Sequence, residues 1–106
     1  MFKLAEKHTV KWPVTIRKPI DGGKVENNKM EVEFEILATD EFDQMNKDGD
    51  FLQRVLIAIN TPVYKGETEL AFEDAKKSLL RISYARVALT EAYFTASSGR
   101  EAQQKN

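Results

Sequence analysis

Two runs of alternating residues, separated by a glycine turn, constrain this chain more than any other feature. Val10, Trp12, Val14 and Ile16 alternate with Lys11, Pro13, Thr15 and Arg17, and Met30, Val32, Phe34 and Ile36 alternate with Glu31, Glu33 and Glu35. A period of two puts each apolar set on one face of a strand. Between the runs lies Pro19-Ile20-Asp21-Gly22-Gly23-Lys24. Asp-Gly-Gly reaches positive φ at little cost, which a reversing strand pair needs. The prediction is a β-hairpin over 9–37, its second strand starting as early as Lys24. Lys11 and Arg17 face outward on one strand, and Glu31, Glu33 and Glu35 on the other. Such cross-strand opposites contribute roughly 0.2–1 kcal/mol per good pair. A register with Arg17 opposite Glu31 sets Ile16 opposite Val32 and Val14 opposite Phe34. Pro13 cannot donate to a ladder, so the first strand is expected to have a free edge there.

The remainder reads as about four helices, over 39–97. Thr39 is placed to cap a short helix through Lys47, with Asp40 and Glu41 in its first turn and Gly49 as its stop. Asp50 is placed to cap the next, whose apolar face is Phe51, Leu52, Val55, Leu56 and Ile59, ended by Thr61-Pro62. Val63 to Ala71 reads as a loop with a turn at Lys65-Gly66. Glu73 and Asp74 open a third helix, and Ser83 is placed to cap a fourth that runs from Tyr84 to Ser97 and stops at Gly99. Residues 1–8 show no period and read as a flexible arm, and 98–106 as a polar tail. The expected fold is therefore a single α+β domain, residues 9–97, in which an N-terminal β-hairpin precedes the helices.

Composition narrows the chemistry. The chain has 106 residues, no cysteine, one histidine, and a net charge of −1 from 16 basic and 17 acidic side chains. That excludes disulfides, thiolate metal sites and multi-histidine centres. It also argues against nucleic-acid binding by massed positive charge. No segment approaches the roughly 18–20 apolar residues of a membrane span, and the start Met1-Phe2-Lys3-Leu4 lacks a signal-peptide core. A soluble intracellular protein, without nucleic-acid or membrane partners, is the expectation.

Candidate reactive groups are few. His8 is the sole conventional general base near neutrality, and no nucleophile pattern accompanies it. The three strand glutamates read as a solvated face opposed by Lys and Arg, not a cation site. Asp21-Gly22-Gly23 lacks the downstream residues of a phosphate loop, and Asp43 to Asp50 misses calcium-loop spacing. Lys76, Lys77, Arg81 and Arg86 read as helix-end charges. No catalytic, cofactor-binding or metal-binding residue is assigned. The helical aromatics and their neighbours, Phe72, Tyr84, Leu89, Tyr93 and Phe94, are the candidate partner-binding residues. Trp12, Val14 and Ile16 mark a candidate self-association edge, because a lone two-stranded hairpin with an open edge invites pairing.

The order of these parts resembles the tail assembly chaperones of long-tailed bacteriophages. The resemblance is carried by the run Val14 to Val25, by Met30-Glu31-Val32-Glu33-Phe34-Glu35, by Phe51-Leu52 with Val55, by Leu70-Ala71-Phe72-Glu73, and by Tyr84-Ala85-Arg86-Val87-Ala88-Leu89 with Ala92-Tyr93. It spans Thr9 to Asn106. Ile59-Asn60-Thr61-Pro62 stands where such proteins often carry Trp-Gly, and Glu73 where serine is frequent. The resemblance implies a non-enzymatic protein without cofactors. Such a protein binds the tape-measure protein and the tail tube protein in the cytoplasm of the infected or lysogenic host, forms a homo-oligomer, and is absent from the mature virion. The competing expectation is a structural tail component retained in the virion.

Overall fold

In a computed structural model that describes residues 1–47 and 51–102, the chain is α+β. Strands β1 (His8–Ile20) and β2 (Lys24–Ile36) form a long hairpin. Helices α1 (Thr39–Lys47) and α2 (Phe51–Val55) follow, then the short strands β3 (Leu56–Ile59), β4 (Tyr64–Lys65) and β5 (Thr68–Glu69). Helices α3 (Phe72–Leu80) and α4 (Ser83–Ser97) complete the regular structure of the described residues. The predicted stop at Gly49 and cap at Asp50 lie outside the described residues, as does the end of the predicted polar tail.

The hairpin forms for the predicted reason. Gly22 and Gly23 take φ of 83° and 74°, and Ile20 pairs directly with Lys24. The register is a correction. Val14 faces Met30, Trp12 faces Val32 and Val10 faces Phe34, while Arg17 faces Asn27 instead of Glu31. The observed ladder centres the turn on Gly22, where the glycines supply the positive φ, whereas the expected pairing would have centred it on Lys24. The two registers differ by four residues. An even slip leaves every side chain on its predicted face, so the apolar sets still share one side. Lys11 does stand opposite Glu33.

The second correction concerns the predicted second helix. It ends at Val55, and Leu56–Ile59 forms β3 instead, antiparallel to β2 through Val32–Ile59, Glu33–Ala58 and Phe34–Leu56. The spacing of Phe51, Leu52, Val55, Leu56 and Ile59 suits a helix, but Leu-Ile-Ala-Ile equally suits a buried strand. Tertiary context decides. As β3 the run pairs with the edge of β2 that β1 leaves free, and it satisfies that edge's backbone groups. The sheet order is β1-β2-β3, so β1 is an outer strand.

The core lies between one face of this sheet and the helices. Val14, Ile16, Val32 and Phe34 point into it from the sheet, and Leu52, Val55, Leu89 and Tyr93 meet them. Each such side chain is worth roughly 1.5–3 kcal/mol when fully buried. The Tyr93 hydroxyl accepts a hydrogen bond from the Leu37 N–H at 3.2 Å, tying α4 to the end of β2. Neither α3 nor α4 has a side-chain cap; Ala71 and Ile82 stand at the cap positions, and Ser83 lies inside α4. At its other end α4 closes as predicted, with Gly99 at φ 77° and its N–H on the Ala96 carbonyl. Residues 1–7 form no helix or strand, and His8 already belongs to β1.

Candidate interaction surface

Only the proximal part of the hairpin is covered. On β1 every residue from Arg17 to Ile20 is exposed, as is every residue on β2 from Lys24 to Lys29. The distal part is a bare two-stranded ribbon. Where it leaves the core, a groove of about 440 Å³ opens between ribbon, β4–β5, α3 and α4. Ile16 and Met30 form its sheet wall, Val63 and Leu70 a second, and Leu79, Ile82 and Tyr84 the helical one. Lys18, Glu26 and Lys65 also border it. Val63 and Leu70 sit side by side because β4 and β5 make a second, miniature hairpin. Its ladder is prolonged by a bond of 2.8 Å from the Leu70 N–H to the Val63 carbonyl. The predicted loop is thus a hairpin turning at Gly66, φ 64°.

The candidate partner-binding residues separate. Tyr84 lines the groove, Phe72 is half-buried with the Lys76 ammonium 5.4 Å from its ring centre, and Phe94 is 45% exposed. Leu89 and Tyr93 are corrections: at 0% and 2% exposure they belong to the core and offer nothing to a partner. On α4 they fall on the stripe that faces the sheet, so the same spacing that marked them places them inside. Tyr93 stacks on Phe42 at 5.6 Å, and Phe94 meets Phe42 and Phe51 at 5.6 and 5.8 Å. Phe94 is therefore the exposed rim of an aromatic cluster at the opposite end of α4 from Tyr84. Phe42, Val63 and Leu70 are not among the residues the sequence marks as partner-binding candidates; the last two lie in a segment whose strand signal is only two residues per arm.

The candidate self-association residues also point inward. Val14 and Ile16 are buried and Trp12 is packed against the core, so their side chains do not form an edge. What β1 presents outward is backbone. Pro13 and Pro19, six residues apart, share one side of the strand, and β1 pairs with β2 through both positions. Their ring nitrogens have no proton to give, so two donors are missing from the outward row. Prolines and exposed cations such as Lys11 and Arg17 blunt an edge against pairing.

The charged groups serve structure. Glu35 Oε2 accepts from Arg54 Nη2 at 2.9 Å, and the same nitrogen reaches Glu41 at 3.3 Å. The Arg54 hydrogen bond holds the Glu35 carboxyl below its usual range despite some burial. Glu31 Oε1 accepts from the Asn60 side chain at 3.1 Å. Lys76 donates to the Gln53 carbonyl at 2.6 Å and Arg86 to the Leu80 carbonyl at 3.1 Å. Lys76 thus reaches across to α2 instead of serving the end of its own helix, where only Lys77 lies in the last turn, while Arg86 reaches back to the last residue of α3. Burial pushes the Lys76 ammonium pKa down. Among the described residues no group of His, Asp and Glu is arranged to hold a metal ion, and no helix is long and apolar enough to cross a membrane. His8 is exposed at the start of β1. Compared with known proteins, the chain matches no family model, no curated protein and no solved structure.

Proposed function

We propose that the chain is a tail assembly chaperone of a long-tailed bacteriophage or prophage. It acts by reversible protein binding, without catalysis or cofactor. It covers the tape-measure protein and tail tube subunits in the host cytoplasm during assembly, then leaves. The order of parts carries this reading: the Val14 to Val25 hairpin run, then the alternating Met30 to Glu35, then helices closing with Tyr84 to Tyr93. The groove under the ribbon adds physical support. A tape-measure protein is a long helical chain with exposed apolar stripes, prone to aggregate when unshielded. An apolar groove with Lys18 and Glu26 at its border suits an amphipathic helix.

The test is co-expression with the tape-measure protein of the same phage or prophage. The tape-measure protein should stay soluble with the chaperone and precipitate without it; equal precipitation in both cases defeats the reading. Mass spectrometry of purified virions addresses the competing role, since a chaperone is absent and a structural tail component remains.

A further inference from the structure

The outer edge of β1 lies beside α4, and a cleft runs between them. It consists of two adjoining cavities, of about 310 and 110 Å³, that share Thr15, Arg17, Ala88 and Glu91. One reaches Tyr84 and Val87 at the start of α4, the other Trp12 and Thr95. Nothing covers Val87 on the helical wall, where it is 57% exposed.

The strand wall offers backbone groups, and β3 shows which ones. Glu31 gives its N–H to the Thr61 hydroxyl at 2.9 Å, and its carbonyl accepts from the Asn60 N–H at 2.8 Å. Both groups therefore point away from β1. Directly opposite residues of an antiparallel pair both face their partner or both face away. Pro13, opposite Glu31, thus turns its backbone outward, and along the unbroken ladder so do Thr15, Arg17 and Pro19. Thr15 and Arg17 each present a donor and an acceptor. The flanking prolines present carbonyls alone.

An extended peptide antiparallel to β1 matches that row. One residue exchanges both hydrogen bonds with Thr15, another with Arg17, and N–H groups beyond them reach the Pro13 and Pro19 carbonyls. A second copy of β1 matches it worse. Centred on the same stretch, it would set Pro13 against Pro19 at both ends, and neither pair could bond. The prolines blunt the edge toward another copy and leave a short stretch open to a foreign strand. The peptide residue opposite Ile16 turns its side chain to the helical side, toward Val87 and Ala88. Arg17 and Glu91 are exposed at the borders, and neither joins an ion pair among the described residues.

We propose that this cleft binds an extended segment of a partner protein by strand addition to β1. The segment places an apolar side chain on Val87 and Ala88, an acid at Arg17 and a base at Glu91. Strand addition here does not rest on the tail-assembly reading, whose helix lies in the groove under the ribbon.

The probe is a heptapeptide blocked at both ends, Thr-Val-Glu-Val-Thr-Lys-Thr. Its third residue faces Arg17, its fifth Thr15, and its lysine Glu91. Trp12 is the chain's single tryptophan and lines the cleft, so its emission reports occupancy. The peptide should give a saturable change below about 1 mM. Methylating the nitrogen of its fifth residue removes the donor to the Thr15 carbonyl and keeps every side chain; binding should weaken about tenfold or more. Thr15→Pro should do the same from the protein side. Its ladder to β2 should stay intact, since the Thr15 N–H takes no part in it. The methylated peptide on the wild-type chain decides the matter without requiring that variant to fold. Glu91→Lys should bind this peptide about threefold more weakly, and its counterpart with glutamate for lysine about threefold more tightly. No saturable response, a methylated peptide that binds as well as its parent, or a Glu91→Lys chain indifferent to the exchange would each overturn the proposal.

Discussion

The two halves of one hairpin have opposite fates. From His8 to Ile16 and from Met30 to Ile36 the ladder is backed by helices, and Val14, Ile16, Val32 and Phe34 are buried. From Arg17 to Lys29 the same ladder continues with every residue on its strands exposed. Backbone pairing is the same in both halves, so pairing does not distinguish them. Side-chain content does. The distal half reads Arg-Lys-Pro-Ile-Asp-Gly-Gly-Lys-Val-Glu-Asn-Asn-Lys, with few apolar side chains and with Pro and Asn, which sheets disfavour. A two-stranded ribbon of this kind is marginal in water. It persists here because the covered half fixes register and twist at its base.

The largest effect should come from emptying the covered half. Phe34 is fully buried and meets the Tyr93 ring edge-on at 5.6 Å. Phe34→Ala should cost about 3–5 kcal/mol, a large share of the roughly 5–15 kcal/mol that holds a domain together. Urea unfolding followed by Trp12 fluorescence reads it. A loss below 1 kcal/mol would mean that the covered half is no better anchored than the ribbon.

The covered half was also the more legible half. Alternation fixed which faces of β1 and β2 are apolar, and Asp-Gly-Gly fixed where the chain turns. Register was less legible, because a four-residue slip exposes no apolar side chain and so leaves the pattern unchanged. Leu56 to Ile59 reads two ways, because Leu56 and Ile59 continue a helical spacing while the unbroken run Leu-Ile-Ala-Ile also suits a buried strand; only the bare edge of β2, a tertiary fact, selects the strand. The candidate surface was less visible still. Val63 and Leu70 come together through a hairpin with two paired residues per arm, too short for periodicity to register. Leu89 and Tyr93 show the converse: helical spacing marks a stripe, but not whether it faces core or partner.

Smaller effects should come from the ties at the base of the covered half. Tyr93→Phe removes the acceptor of the buried Leu37 N–H. An orphaned buried donor costs about 1–2 kcal/mol, read as a lower urea midpoint with an unchanged slope. Glu35 joins β2 to α2 through Arg54. The pair is partly solvated, so Glu35→Gln should cost no more than about 1 kcal/mol at neutral pH. Its pH dependence is more telling. The folded-state pKa of Glu35 is lowered, so folding releases a proton that the unfolded chain binds at mildly acidic pH. The contribution is complete above the ordinary glutamate value of 4.5 and disappears as pH falls through the depressed folded value. Stability of Glu35→Gln should accordingly fall less steeply than wild type over that range. Parallel curves would show that Arg54 does not hold the carboxylate.

The smallest effect should come from the ribbon. Ile20 and Val25 are 44% and 41% exposed near its tip. Exchanging both for threonine keeps the β-branched shape that a strand prefers and trades apolar groups at positions that lie outside the core. Ile20→Thr with Val25→Thr should shift stability by no more than about 0.5 kcal/mol, at protein concentrations where the chain is a monomer. Hydrogen exchange separates the halves more finely. Amides of the ribbon should open at a free energy well below that of global unfolding, whereas amides of the ladder around the Trp12–Val32 and Val10–Phe34 pairs should open only with the whole domain. A double variant that loses 2 kcal/mol, or ribbon amides as slow as those beside Phe34, would mean that the distal half is held by more than its own ladder.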